Sequence, residues 1–249
     1  MEEAIPQKRV LLELFSGSGS VGKAFRAHGW DVISLDSDPK AFEATIAKDI
    51  LEFEVSELGG RTVDLVWASP PCTHYSVART KAAGIWDMTA SDVLVLKALS
   101  IAWALGCPIF VENPWTGKLK TRGWLEHLHL HRVDYCKYGM PYRKRTAIWT
   151  DTAWVPMRAL CKYDCAASEG RRHTARAQQG SPGPHFTQKQ LYVIPAALCD
   201  EIAMWATPRK DERDSPSTRR GGAYRRRRDQ RGRFSSRQML QEAEEDSGI

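Results

Sequence analysis

No run of about 18 consecutive apolar residues occurs in this chain of 249 residues, and that absence excludes a membrane-spanning helix. The opening stretch Met1-Glu-Glu-Ala-Ile-Pro6 lacks the basic and apolar regions of a secretion signal. The six cysteines are therefore expected in a reducing compartment, cytoplasmic or, for a eukaryotic or viral chain, nuclear. Thiols there serve catalysis or metals more often than disulfides. Phosphate-binding signatures are missing too: the glycine-rich turn near the N-terminus has neither the spacing of a dinucleotide fingerprint nor a Gly-Lys-Ser loop. Large apolar residues are scarce after Pro208, so residues 209–249 are expected to stay disordered. That tail carries much of the net charge of +6, with 12 Lys and Arg in 209–237 against four acids, and four more acids in 238–249. Arg225-Arg226-Arg227-Arg228 reads as a phosphate-seeking cluster or, equally, as part of a solvated or localisation tail. The length suits one domain with at most a small insert, and a monomer.

What is present centres on Asp64-Leu-Val-Trp-Ala-Ser-Pro-Pro-Cys-Thr-His-Tyr-Ser76. Leu65 to Ala68 are apolar and bounded by polar residues, as in a buried strand. Pro70-Pro71 ends the ladder, because neither ring offers an N–H and each fixes its φ. Cys72 then stands just past the carboxyl end of a strand, where open α/β sheets keep their ligands. On this stretch alone a buried core cysteine is an equal alternative.

In chain order, Val10 to Phe15 reads as a buried strand, Ser16-Gly-Ser-Gly-Ser20 as a turn, and Val21 to His28 as a helix stopped by Gly29. Asp31 to Asp36 is a second strand whose terminal acid is placed to accept from ribose hydroxyls. Ser37-Asp38-Pro39 follows, and Pro39 is expected to open a helix running through Ala47. Asp49-Ile50 is expected at a third strand tip, with Asp49 in reach of an adenine amine. Glycine turn, Asp36 and Asp49 in that order suit an adenosine-bearing ligand without phosphate, such as S-adenosylmethionine. Thr73 to Asp87, with Arg79, Lys81, Gly84 and Trp86, reads as a loop with a functional role. Ser91 is expected to cap a helix to Leu105, apolar nearly all round and so buried. Pro108 to Pro114 is a further strand, which brings Glu112 and Asn113 to the same sheet edge as Cys72.

Phe15-Ser-Gly17-Ser-Gly19, Asp36, Pro71-Cys72, Glu112-Asn113 and Tyr138-Gly-Met-Pro-Tyr142 together resemble the ordered motifs of the cytosine-C5 DNA methyltransferase family, over most of residues 8–151 and more weakly from Gln190 to Ala206. The resemblance implies a Rossmann-like α/β sheet and DNA as partner, with a cytosine flipped out of the duplex. It implies S-adenosyl-L-methionine held around Phe15, Ser16, Gly17, Gly19, Asp36, Ser37, Asp49 and Pro70. Cys72 corresponds to the nucleophile that attacks C6, and Glu112 to the acid that holds N3 and the 4-amino group. Cytosine C5 is a poor nucleophile. A thiolate adding at C6 creates an enamine-like ring that can take a methyl group, which calls for a lowered thiol pKa. Three departures stand out. Pro114 replaces the family's valine after Glu-Asn. Tyr142, Lys144 and Thr146 stand where Gln-x-Arg-x-Arg is usual, and Arg145 is expected to supply the base-contacting arginine by a register shift. The Gly-Asn that opens the family's last motif is replaced by Gln190-Leu-Tyr-Val-Ile-Pro195.

The expected organisation is a catalytic core over 1–151, a short recognition and zinc insert over 152–185, a helical return to the core over 186–208, and the tail. Cys136, Cys161, Cys165 and His173 follow the spacing C-x24-C-x3-C-x7-H. Three thiols and an imidazole suit tetrahedral structural zinc, which would staple a polar segment with few core residues. Four unrelated residues, with Cys136 in a strand, are the alternative. His127, His129 and His131 alternate as on a strand and read as surface. Two other functions compete. Ser69-Pro-Pro-Cys72 also resembles the Ser-Pro-Pro-aromatic motif of enzymes that methylate exocyclic amines, although Cys72 cannot stack a base. The altered arginine motif would also suit a non-catalytic DNA-binding relative.

Overall fold

The computed structural model describes residues 8–41, 44–73, 75, 88–177 and 186–207. The chain divides into two units, Met1–Pro208 and Arg209–Ile249. All described residues belong to the first, so the basic tail and the segment with Arg79, Lys81, Gly84 and Trp86 lie outside them. The strands are β1 (Val10–Leu14), β2 (Asp31–Asp36), β3 (Ile46–Ala47), β4 (Leu65–Ala68), β5 (Ile109–Pro114), β6 (His129–Asp134), β7 (Tyr142–Arg143), β8 (Arg145–Thr150), β9 (Ser168–Glu169), β10 (Arg172–His173) and β11 (Ala175–Arg176). The helices are α1 (Ser20–Ala27), α2 (Thr89–Leu105), α3 (Gln188–Tyr192) and α4 (Ala196–Ala206).

Seven strands form one sheet in the order β3-β2-β1-β4-β5-β8-β6. The first five are parallel, while β8 runs antiparallel to both β5 and β6. This is the expected α/β class with a mainly parallel sheet. Parallel strands are covered on both faces and read as continuous apolar runs; all five residues of β1 and all four of β4 are buried. One face packs Leu12, Leu14, Leu35, Val66 and Val111 against Val95, Ala98 and Ile101 of α2. The other packs Leu11, Trp67, Phe110 and Ile148 against Phe25 of α1 and Leu198 and Ile202 of α4. Phe110 lies stacked at 5.9 Å from Trp67 and edge-on at 5.7 Å from Trp154. Truncating such a ring costs about 3–5 kcal/mol.

Two helical expectations need correction. Between Pro39 and Ala47 the described residues form a turn and then β3, not a helix. The Thr45 N–H donates to the Ser34 carbonyl at 2.8 Å and the Lys48 N–H to that of Asp36 at 3.0 Å, so the edge of β2 claims this backbone. The third strand thus ends before Asp49, which caps the short 3-10 turn Ile50–Glu52. The helix expected from Ser91 begins at Thr89, and it is not buried all round: Trp103 is 62% exposed. Its apolar outer face follows from its place in an outer layer, covering one side of the sheet only.

The chain leaves β1 toward β2 and β3, then crosses back to β4 on the other side of β1. Such a reversal of strand order opens a crevice at the carboxyl ends of the two strands. The turn after β1 and the prolines after β4 therefore meet at one edge of the sheet.

Candidate active site

At the end of β1 the backbone takes an uncommon path. Phe15 adopts φ 58°, a left-handed value rare for a side chain that large. Gly17 follows at φ 47° and Gly19 at φ 63°, where a Cβ would be strained. The loop is tied across the crevice: the Ser16 N–H donates to the Leu35 carbonyl at 3.1 Å, and the Gly17 N–H donates to Asp36 Oδ2 at 2.8 Å. Asp36 Oδ1 accepts from the Asp38 N–H at 2.9 Å. Each carboxylate oxygen keeps a free lone pair for a ligand hydroxyl. Ser37 and Asp49 are exposed, and Asp49 Oδ1 accepts from the Leu51 N–H at 2.9 Å. Ser16 Oγ is buried with no partner, and an orphaned polar atom of that kind calls for a ligand group or water. A strained turn, an orphaned hydroxyl and two acids with spare acceptor capacity fit a nucleoside cofactor.

Under this loop lies Glu13, a carboxylate that sequence reading passed over. It is 2% exposed. Burial pushes its pKa up to about 7, against the pull of the Gly22 and Val21 N–H groups, Ser34 and Arg26. A Cβ on Gly22 would stand 2.5 Å from Glu13 Oε2, so α1 approaches β1 closely only because that position is glycine.

The second half of the edge carries Cys72. Asn113 Nδ2 donates to the Pro70 carbonyl at 3.0 Å, fastening the tip of β5 to the loop after β4. The Tyr75 N–H donates to the Cys72 carbonyl at 3.1 Å. The Tyr75 hydroxyl donates to Asp92 Oδ1 at 2.7 Å, and Arg122 binds the other oxygen of Asp92. Cys72 is half-buried and held from both sides. Its thiol is not lowered in the free protein, contrary to the expectation. Burial pushes it up, the Lys144 cation pulls it down, and the Glu112 carboxylate pushes it up further.

Glu112 is 7% exposed, and its Oε1 accepts from the Tyr135 hydroxyl at 3.0 Å. Lys144 Nζ donates to the Leu191 carbonyl at 3.0 Å and stands 5.1 Å from the centre of the Tyr135 ring. Arg145, expected here, is exposed at the start of β8 opposite Asp134. Arg143 is spent on Asp134, at 2.9 Å. The reason lies in the register. Glu112 pairs with Ile148, and side chains alternate along a strand, so the face that Glu112 shares carries Ile148 and Thr146, with Lys144 two residues earlier. The cation acting on Cys72 is the ungapped Lys144. Its signal was the alternation itself, once an antiparallel partner for Glu112 is known.

Away from this edge, ligand atoms of Cys136, Cys161, Cys165 and His173 all lie within 4.8 Å of one another. His173 Nε2 stands 3.5 Å from Cys161 Sγ and 3.4 Å from Cys165 Sγ. Tetrahedral zinc, with Zn–S about 2.3 Å and Zn–N about 2.0–2.1 Å, separates such atoms by roughly 3.5 Å. Cys136 sits in the 3-10 turn Tyr135–Tyr138 and not in a strand. His127 and His129 are exposed, whereas His131 is half-buried and edge-on to Trp154 at 5.4 Å.

Among known proteins, the chain is 34% identical over 214 residues to the "Probable DNA (cytosine-5)-methyltransferase" of Frog virus 3 (isolate Goorha), covering 77% of this chain and 97% of that one. The chain belongs to the DNA (cytosine-5)-methyltransferase family. No family model matches it. Among solved structures, a triple mutant of DNMT2 from Spodoptera frugiperda aligns at 17% identity and TM-score 0.43, over 61% of this chain and 53% of that one. The Dnmt2 methyltransferase of S. pombe aligns at 16% and 0.43, over 59% and 52%. The chain thus spans about half the length of these two solved chains, while it spans nearly all of the viral family member. Among the described residues no helix is long and apolar enough to cross a membrane.

Proposed function

We propose that this family member transfers the methyl group of S-adenosyl-L-methionine to C5 of cytosine in DNA, through a covalent bond between Cys72 and C6 of a base turned out of the duplex. The supporting observation is the convergence of three groups on one sheet edge: a half-buried thiol, a buried carboxylate and a lysine whose charges both act on that thiol. Lys144 favours the thiolate and ionised Glu112 opposes it. Glu112 carrying a proton toward N3 of the base ends that opposition, so protonation of the acid and ionisation of Cys72 favour each other. The Cys72 thiolate then forms the S–C6 bond, and the ring electrons move toward C5. The bound cofactor supplies the electrophilic methyl group. A base takes the C5 proton, the C5–C6 double bond re-forms, Cys72 leaves as the thiolate, and the N3 proton returns to Glu112.

Phe15, Ser16, Gly17 and Gly19 would hold the cofactor by backbone and ring contacts, Asp36 and Ser37 its ribose, and Asp49 its adenine amine, with Pro70 as a wall. Lys144 takes the role that sequence spacing suggested for Arg145. Cys136, Cys161, Cys165 and His173 hold one structural zinc ion, on the strength of their separations and of the few core residues in the insert over 152–185. We read that insert as the DNA-recognition element.

Duplex DNA carrying 5-fluorocytosine tests the reaction. With S-adenosyl-L-methionine present it should trap the chain covalently, because the C5 fluorine cannot leave as a proton, and Cys72→Ser should abolish the trap. A product found only as N4-methylcytosine would sink the reading.

A further inference from the structure

We propose that Tyr135 is a positioning residue for Glu112 and that the Cys136, Cys161, Cys165 and His173 centre holds Tyr135 in place, so that loss of the metal is felt at the reacting base. The inference rests on the zinc reading above. Tyr135 is fully buried, and its hydroxyl donates to Glu112 Oε1 at 3.0 Å. A carboxylate with one oxygen engaged in this way has its rotation fixed, and its second oxygen stays available to the base. Tyr135 also sets Lys144. Its N–H donates to the Lys144 carbonyl at 3.0 Å, and its ring lies beneath the ammonium. Tyr135 therefore touches both groups that act on Cys72.

The metal centre grips this residue on each side. Cys136 is its neighbour in the chain. The Cys161 N–H donates to Asp134 Oδ2 at 2.9 Å, on the other side of Tyr135. The same oxygen takes the Arg143 guanidinium at 2.9 Å, next to Lys144. His173 is followed two residues later by β11, which pairs Ala175 with Tyr142 and Arg176 with Arg143. The insert's own strands, β9, β10 and β11, are two residues each. Pairs so short do not persist without support. A metal joining Cys136 to the insert is what keeps β11 on β7 and the turn at Tyr135 closed. The coupling is contiguous: metal ligands, Asp134 and β7, then Tyr135 and Lys144, then Glu112 and Cys72.

Steady-state methylation by the full chain, with zinc content and cofactor affinity measured in parallel, tests this. Tyr135→Phe, which removes only the hydroxyl, should keep about one zinc per chain and leave cofactor Kd and KM for DNA unchanged. Its kcat should fall about tenfold, the signature of an interaction needed in the transition state. Cys161→Ser should lose zinc, keep cofactor affinity and show at least the same fall in kcat. The double variant should be no slower than Cys161→Ser alone, because both changes break one chain of contacts. An unchanged kcat in Tyr135→Phe overturns the positioning role. Zinc lost from Cys161→Ser with kcat intact overturns the coupling and leaves the zinc reading standing. Full zinc occupancy in Cys161→Ser overturns the ligand set, and the coupling with it. Should Cys161→Ser fail to fold, Tyr135→Phe still decides the positioning role.

Discussion

The two halves of the sheet edge are built differently. On the side proposed for the cofactor, the contacts join residues within about twenty positions of each other: Gly17 with Asp36, Ser34 with Glu13, Asp49 with Leu51. On the side proposed for the base, Tyr135 and Glu112 meet across 23 residues, and other contacts span about twice that: Asn113 with Pro70, Tyr142 with Gln190, Lys144 with Leu191. Each side keeps one buried acid on the same face of the sheet. Glu13 is surrounded by backbone donors and a serine and shapes a loop. Glu112 accepts from the Tyr135 phenol, and its charge acts on the Cys72 thiol. The difference teaches that a parallel βαβ unit can make a nucleotide-type crevice from local sequence, whereas the proposed reacting centre needs elements gathered from across the chain.

The largest separation of the two sides should come from Cys72→Ser. Methyl transfer should fall at least about a thousandfold while cofactor affinity by calorimetry stays unchanged. A parallel loss of cofactor affinity would mean that the two sides are one unit. Next in size is Glu13. Unfolded, it ionises near 4.5; folded, near 7. Folding therefore holds a proton that the unfolded chain gives up. This contribution is fully present below pH 4.5, and stability drops as pH rises from there to 7, by about 3 kcal/mol. Denaturant unfolding of Glu13→Gln should lack this slope between pH 4.5 and 7. Asp36→Ala should weaken cofactor binding about tenfold to a hundredfold and leave alkylation of Cys72 untouched. The smallest contrast lies within one segment. Lys144→Gln should move the alkylation of Cys72 by iodoacetamide, followed on the Cys72 peptide, to higher pH and cut methyl transfer about tenfold. Arg145→Gln should do neither. Equal effects from both would sink the register argument.

The legible parts of this molecule have short-range causes. Val10 to Leu14, the glycine turn and Asp31 to Asp36 could be placed by period and turn chemistry because each element satisfies its pattern locally. The Pro39 helix failed because an edge strand took the backbone that local propensity assigned to a helix, a competition decided by the Asp36 and Ser34 carbonyls. The Cys-and-His spacing pointed to a metal because few other uses suit three thiols and an imidazole in a polar segment. Which cation serves Cys72 was not legible: Lys144 and Arg145 are neighbours with the same charge, and only the antiparallel pairing of Glu112 with Ile148 says which face each takes. Tyr135 had no sequence signal at all. Its role comes from a phenol that the fold buries against a carboxylate 23 residues away. By itself, the order of residues determined the strands, the crevice they open, the cysteine that follows β4 and the family. Tertiary structure alone decided which side chains meet the thiol, because alternation along a strand turns a shift of one residue into a change of face.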